Sequence, residues 1–256
     1  MRTCYAFITL LFFSPFFWGC NGGANQPSTR DPKASQAAVE KARSALLSSR
    51  TSESLEESYF ELKAARDPDR RDFETEIAYA QVCFYYGGLL ENGDDREKMW
   101  ESGLEAGRIA TRLKEEKVDG YYWAAANLNA LAKKNPLTVG IRSTEELRDF
   151  ATRAADIDPS YEAGGALNIL AQLELFTGLV GGTPKKAVEY LERGAHFDTR
   201  DGSVRLTLAE AYLLSRRIED AKRVLREIIE MKPDPNFKRE HDIIVAKAKR
   251  MLDKRL

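Results

Sequence analysis

The chain has 256 residues and carries 39 Lys and Arg against 40 Asp and Glu, a net charge of −1. That balance leaves no electrostatic footprint for nucleic acid, and the length suffices for one substantial core. Of the three cysteines, two lie within the first 20 residues, so Cys83 has no partner for an intramolecular disulfide once that segment is removed.

The chain opens with Arg2 and the apolar run "YAFITLLFFSPFFWG", which ends at Cys20. The run is short and holds Pro15, which fits the apolar region of an export signal better than a membrane span. Gly19 precedes Cys20 and a polar spacer, "NGGANQPSTRDP", follows, as in a bacterial lipobox whose cysteine is lipidated. Phe17 and Trp18 are bulkier than that motif's usual residues, and cleavage after Ala24 is the rival reading. Asn21 is not the aspartate that holds many lipoproteins in the inner membrane, so the outer membrane is the expected location. The expected organisation is a signal over 1–20, a flexible tether over 21–34 and one helical domain over 35–256.

From Lys33 onward apolar residues recur at three and four, and period-two alternation is absent. A first helix places Ala34, Ala37, Ala38, Ala42, Ala45 and Leu46 on one stripe. A second carries Leu55, Tyr59 and Leu62 and closes at Pro68. The third, "DFETEIAYAQVCFYYGG", is expected to stop at Gly87 and Gly88. Asp94 and Asp95 are cap candidates for a fourth. Helical pairs then continue to an amphipathic C-terminal helix, "FKREHDIIVAKAKRMLDKRL", of the kind that caps a solenoid.

Residues 202–233, "GSVRLTLAEAYLLSRRIEDAKRVLREIIEMKP", match the tetratricopeptide pattern: Leu208-Ala209 and Tyr212, then Ala221, Leu225, Ile228 and Pro233. The alanines let paired helices approach while Tyr212 and Leu225 fill the space beside them. Looser units end at Asp67-Pro68 and Asp158-Pro159. Two insertions interrupt the rhythm, "NPLTVGIRSTEE" and "FTGLVGGTP". The expected fold is therefore all-α: a tetratricopeptide-like solenoid of helical hairpins with a C-terminal capping helix.

Little in the chain points to catalysis. The two histidines, His196 and His241, lack neighbours at metal-ligand spacing and read as surface residues. Cys83 sits in an apolar helix and reads as core. The glycines before Lys185 break phosphate-loop spacing and follow a helix rather than a strand. Thr183 instead reads as an N-cap with Pro184 at the first helical position. No cofactor or metal is expected. Among the aromatics in Phe84-Tyr85-Tyr86 and Tyr121-Tyr122-Trp123, one or two should face a groove, because consecutive helical residues cannot share a side. The inward positions of the repeat pattern fall on Tyr121, Leu128, Leu131, Asn168, Gln172, Leu175, Phe176, Leu206, Glu210 and Leu213, either a groove for a small hydrophobic ligand or a partner helix or the packing surface between repeats.

"DIDPSYEAGGALNILAQLELFTGLVGGTPKKAVEYLERG", with the upstream "CFYYG" and the lipobox-like N-terminus, resembles the TatT family. Its members are tetratricopeptide lipoproteins associated with tripartite ATP-independent periplasmic (TRAP) transporters. Asp158, Pro159, Tyr161, Gly164 and Gly165 carry the resemblance at one helix start, and Gly181, Gly182, Pro184 and Ala187 at the elbow; it spans about 70–232. The resemblance implies a non-enzymatic periplasmic protein, homotrimeric in assembly, that pairs with the P-component solute-binding protein and holds a small organic ligand in an apolar cleft. The alternative is a scaffold lipoprotein for envelope protein assembly. A hydrolase has no nucleophile and base behind it.

Overall fold

The computed structural model describes residues 32–48, 50–176 and 182–255. The export signal, Cys20, most of the expected tether, and Gly181 lie outside them. Among the described residues there is no strand. The helices are α1 (Pro32–Leu47), α2 (Ser52–Ala65), α3 (Phe73–Leu89), α4 (Gly93–Leu113), α5 (Val118–Lys134), α6 (Thr144–Ile157), α7 (Tyr161–Phe176), α8 (Pro184–Ala195), α9 (Ser203–Leu214), α10 (Ile218–Glu230) and α11 (Lys238–Arg255). A π turn, Pro136–Gly140, occupies the first insertion. Helix α1 begins at Pro32, so the last residues of the expected tether are helical.

Each helix packs on the next, and α1, α3, α5, α7 and α9 also touch in succession. The odd helices thus form an inner layer and the even ones an outer layer, the arrangement of a tetratricopeptide-like solenoid. The unit read most clearly from sequence is α9 with α10: Ala209, Ala221 and Leu225 are fully buried and Tyr212 nearly so. The core changes over at α7, whose Leu167 and Leu170 belong to the N-terminal cluster and whose Ala171 joins the C-terminal one.

Close approach dictates several small residues. A Cβ on Gly107 of α4 would sit 2.7 Å from the backbone nitrogen of Ala124 and 2.8 Å from its Cα. Backbone atoms cannot swing aside as a side-chain tip can, so this crossing of α4 and α5 admits only hydrogen. Helix α3 does not stop at Gly87 and Gly88 but runs through them to Leu89. Gly87 is small because the Trp100 indole packs on it, with Nε1 donating to the Phe84 carbonyl at 3.2 Å. The cap of α4 is also displaced from the expected aspartates. Asn92 accepts from the amides of Asp94 and Asp95, and the two acids occupy the first turn, where the helix dipole favours them.

The start of α7 is unusual. Glu162, Ala163 and Gly164 have φ of 49°, 57° and 82°, a left-handed turn before the right-handed helix. Left-handed dihedrals cost an L-residue about 1–2 kcal/mol each, so neighbouring contacts must hold them. The Tyr161 hydroxyl donates to Asp119 at 2.9 Å and accepts from the Trp123 indole at 3.1 Å. Glu162 pairs with Arg200 beyond α8. The start of α8 is held in a comparable way. Thr183 caps α8 through Lys186, as its sequence position implies, and its amide donates to the buried Glu174 carboxylate, which also pairs with Arg148 at 2.6 Å.

Candidate binding cleft

The inner layer frames a cleft of about 560 Å³ between α3, α4, α5 and the first turns of α11. Its walls divide by chemistry. One end is formed by Phe84, Tyr85, Leu89, Trp100 and Ile243. The α3 aromatics therefore split as helical geometry requires, Phe84 and Tyr85 turning to the cleft while Tyr86 enters the core. Burial pushes the Tyr85 phenol up to about 12, so it stays neutral.

The other end is polar. The Asn129 amide donates to Gln172 at 3.0 Å, and Gln172 donates to Asn168 at 3.1 Å, a ladder from α5 to α7. Two smaller recesses, of about 310 and 380 Å³, continue the cleft past this ladder toward α9. Among the described residues Lys133 is the one side chain that lines all three spaces. It is open to cleft water yet walled by protein. Desolvation holds its ammonium below the usual lysine range, with Lys247 adding to that and Glu210 opposing it.

The C-terminal segment closes the cleft. The Arg50 and Arg200 guanidinium carbons lie 4.1 and 4.5 Å from the centre of the Phe237 ring. Arg50 also pairs with Glu240 at 2.8 Å and donates to the Asn236 carbonyl at 2.8 Å. His241, read from sequence as a surface residue, is buried here with Nδ1 2.9 Å from the Asp201 carbonyl. That geometry places a proton on Nδ1 and makes the ring an anchor for α11. His196 is exposed.

The sequence-derived groove residues are distributed unevenly. Asn168, Gln172, Leu175, Leu206 and Glu210 come together around the recess next to α9. Leu128 and Leu131 are 2% and 3% exposed and face the core instead. Tyr121 lies under the Arg153 guanidinium toward α6. Phe176 is exposed but sits against the π turn at Gly140, and Leu213 packs on the α9–α10 core. Of the elbow residues, Gly182 and Pro184 flank the Thr183 cap, away from the cleft. The sequence reading missed Lys133, Arg50, Arg200 and Phe237. Lys133 reads as an ordinary last-turn lysine, and the other three lie in connections whose convergence depends on the curvature of the whole stack.

Another polar cluster is built of ion pairs. A depression of about 660 Å³ beside α1 is ringed by ion pairs, Arg43 with Glu74 at 2.6 Å and the buried Glu76 with Arg66 and Arg71 at 2.8 and 2.9 Å. Cys83 is fully buried and desolvation raises its thiol pKa, which opposes thiolate chemistry. Among the described residues no group of three or more His, Cys, Asp or Glu side chains is placed to hold a metal ion, and no helix is long and apolar enough to cross a membrane.

An inner layer of helices around a cleft, flanked by a terminal helix, is a helical-repeat architecture. The comparisons place it more closely. Residues 181–239 match the tetratricopeptide repeat family. The structure is similar to that of a thermophilic TPR protein of Thermus thermophilus, at 17% identity and a TM-score of 0.60, over 84% of this chain and 98% of that one. Two structures of MamA, one a point mutant and one from MSR-1, are similar at 11% and 12% identity with TM-scores of 0.48 and 0.47. They cover 82% and 84% of this chain and 95% and 96% of their own. No curated protein sequence matches the chain. The fold is thus a tetratricopeptide-like solenoid, an architecture whose concave surfaces bind protein partners.

Proposed function

We propose that this chain is a non-enzymatic lipoprotein of the periplasm, anchored through Cys20 to the outer membrane, and the accessory (T) component of a TRAP-type transport system. In this reading it pairs with a P-component solute-binding protein, a small organic ligand occupies the central cleft, and protomers assemble as a homotrimer. The cleft between α3, α4, α5 and α11 is the observation that carries the reading, because a solenoid serving only as a peptide platform has no need of an aromatic-lined recess of this size. The lipobox-like N-terminus and the sequence resemblance over about 70–232 supply the compartment and the transporter.

The test is native and intact mass spectrometry of the protein extracted in mild detergent. Acylated Cys20 and a co-extracted P-component solute-binding protein are the expected results. A mature chain beginning at Asn25 would remove the anchor. Co-extraction of a β-barrel assembly partner, with an empty cleft, would replace the transport reading with the envelope scaffold.

A further inference from the structure

We propose that the cleft takes an amphipathic organic anion, its carboxylate paired with Lys133 and its hydrocarbon or aryl body laid against Phe84, Tyr85, Leu89 and Ile243. This deepens the function proposed above by naming the chemical class of the cleft's ligand, and it rests on the cleft being a ligand site.

Charge and shape both point that way. The 560 Å³ cleft is lined by five cations, Arg50, Arg96, Lys133, Lys134 and Arg239, against one carboxylate, Glu240. Most of these charges are already engaged. Arg50 holds Glu240, Lys134 holds Glu97 at 2.6 Å, and Arg96 donates to the Leu90 carbonyl at 3.1 Å and lies beside the Trp100 ring. Among the described residues Lys133, Arg96 and Arg239 form no salt bridge, and of the three Lys133 alone also lines the two further recesses. Glu210 and Lys247 line the same far recess as Lys133 and act on it in opposite senses. The Lys133 side chain is exposed to the cleft, so a carboxylate brought there would give the ammonium a charge-assisted partner.

The position of Lys133 sets the ligand's polarity. It stands at the junction of the apolar end and the amide ladder of Asn129, Gln172 and Asn168. A head group at Lys133 would find further donors on that ladder, while the body of the molecule would meet Phe84, Tyr85, Leu89 and Ile243, with Arg50 and Arg96 beside them. The cleft volume lies in the range that encloses a molecule of drug-like size.

The probes are three matched compounds: 4-phenylbutyrate, 4-phenylbutanol and 4-phenylbutylamine. Each is titrated calorimetrically into full-length protein in nanodiscs, with empty nanodiscs as the blank. The acid is expected to bind at least tenfold more tightly than the alcohol, and the amine more weakly than either. Lys133→Met keeps the aliphatic stem and should remove the acid's advantage while leaving alcohol binding within about threefold of wild type. Lys133→Glu should invert the order and favour the amine. Ala130→Trp, at a half-buried position of the cleft wall, should abolish all three. Melting temperatures near that of wild type show that each variant is folded. Equal binding of acid and alcohol, equal loss of both in Lys133→Met, or no binding of any probe overturns the inference. Partner extraction is read separately: pairing with a P component but no acid preference sinks this inference alone, whereas acid binding without such a partner sinks the transport assignment alone.

Discussion

Removing the Phe237 ring should release the C-terminal segment from the mouth of the cleft. The ring meets two guanidiniums, and both belong to well-buried arginines whose side chains are 5% and 19% exposed. At about 1 kcal/mol for each cation–π contact and about 1 kcal/mol for half-burying a phenyl ring, Phe237→Ala should weaken docking of the segment by about 3 kcal/mol. Because α11 packs chiefly on α9, α10 and the short turn before it, the loss should appear as local opening rather than global unfolding. Three kcal/mol corresponds to about a hundredfold loss of amide protection, read by hydrogen exchange on peptides from 238–253. Phe237→Leu retains apolar contact and should give about a thirtyfold loss, isolating the guanidinium contribution of about 2 kcal/mol. Unchanged exchange in α11 with faster exchange throughout the repeats would refute the reasoning, since it would mean that Phe237 supports the stack and not the closure.

Two glycines should respond oppositely to the same change. Gly107→Ala forces α4 off the α5 backbone and should cost about 1–2 kcal/mol after crediting alanine's helix propensity, whereas Gly88→Ala meets nothing within 4 Å and should gain about 0.5 kcal/mol; denaturant midpoints decide both. Lys133→Met should raise the melting temperature slightly at neutral pH. A lysine whose folded pKa is lowered contributes stability that is present above its unfolded value near 10.5 and lost as pH falls through the folded value, so the charge is a burden at pH 7. Wild type and variant should therefore converge as the pH is raised. Burial raises the Asp198 pKa above 3.8, so its contribution is fully present below 3.8 and declines as pH rises through the folded value; in Asp198→Asn, melting followed between pH 3 and 6 should lose that component. Glu174→Ala removes the acceptor for both Thr183 and Arg148 and should cost about 2 kcal/mol, with proteolytic cleavage of the elbow rising in parallel.

The helical hairpins were legible because their determinants are local. Ala209, Tyr212, Ala221 and Leu225 are read in one window, and the residues they contact lie within the same unit. Thr183-Pro184 was legible for the same reason, since a cap needs only its own turn. Gly87 was misread because a glycine that ends a helix and one that admits a neighbouring indole look alike until Trp100 is in place. The cleft was half legible. Pattern positions on α7 and α9 reached it through Asn168, Gln172 and Leu206, but the same positions on α5 gave Leu128 and Leu131, which the α5 crossing turns inward. Lys133 was hidden by its composition: a lysine in a helix's last turn is ordinarily solvent-facing, and only the return of α11 over the inner layer makes it a cleft residue.

The contact between Arg50 and Asn236 spans 186 positions of sequence, while successive hairpins otherwise speak chiefly to their neighbours. A stack of hairpins is elastic, and small rotations at each joint add up to a large change in curvature. Fastening its two ends to each other converts that spring into a hoop, whose aperture no longer follows thermal flexing of the individual joints. That fastening rests on the contacts of Arg50 with Asn236, Phe237 and Glu240.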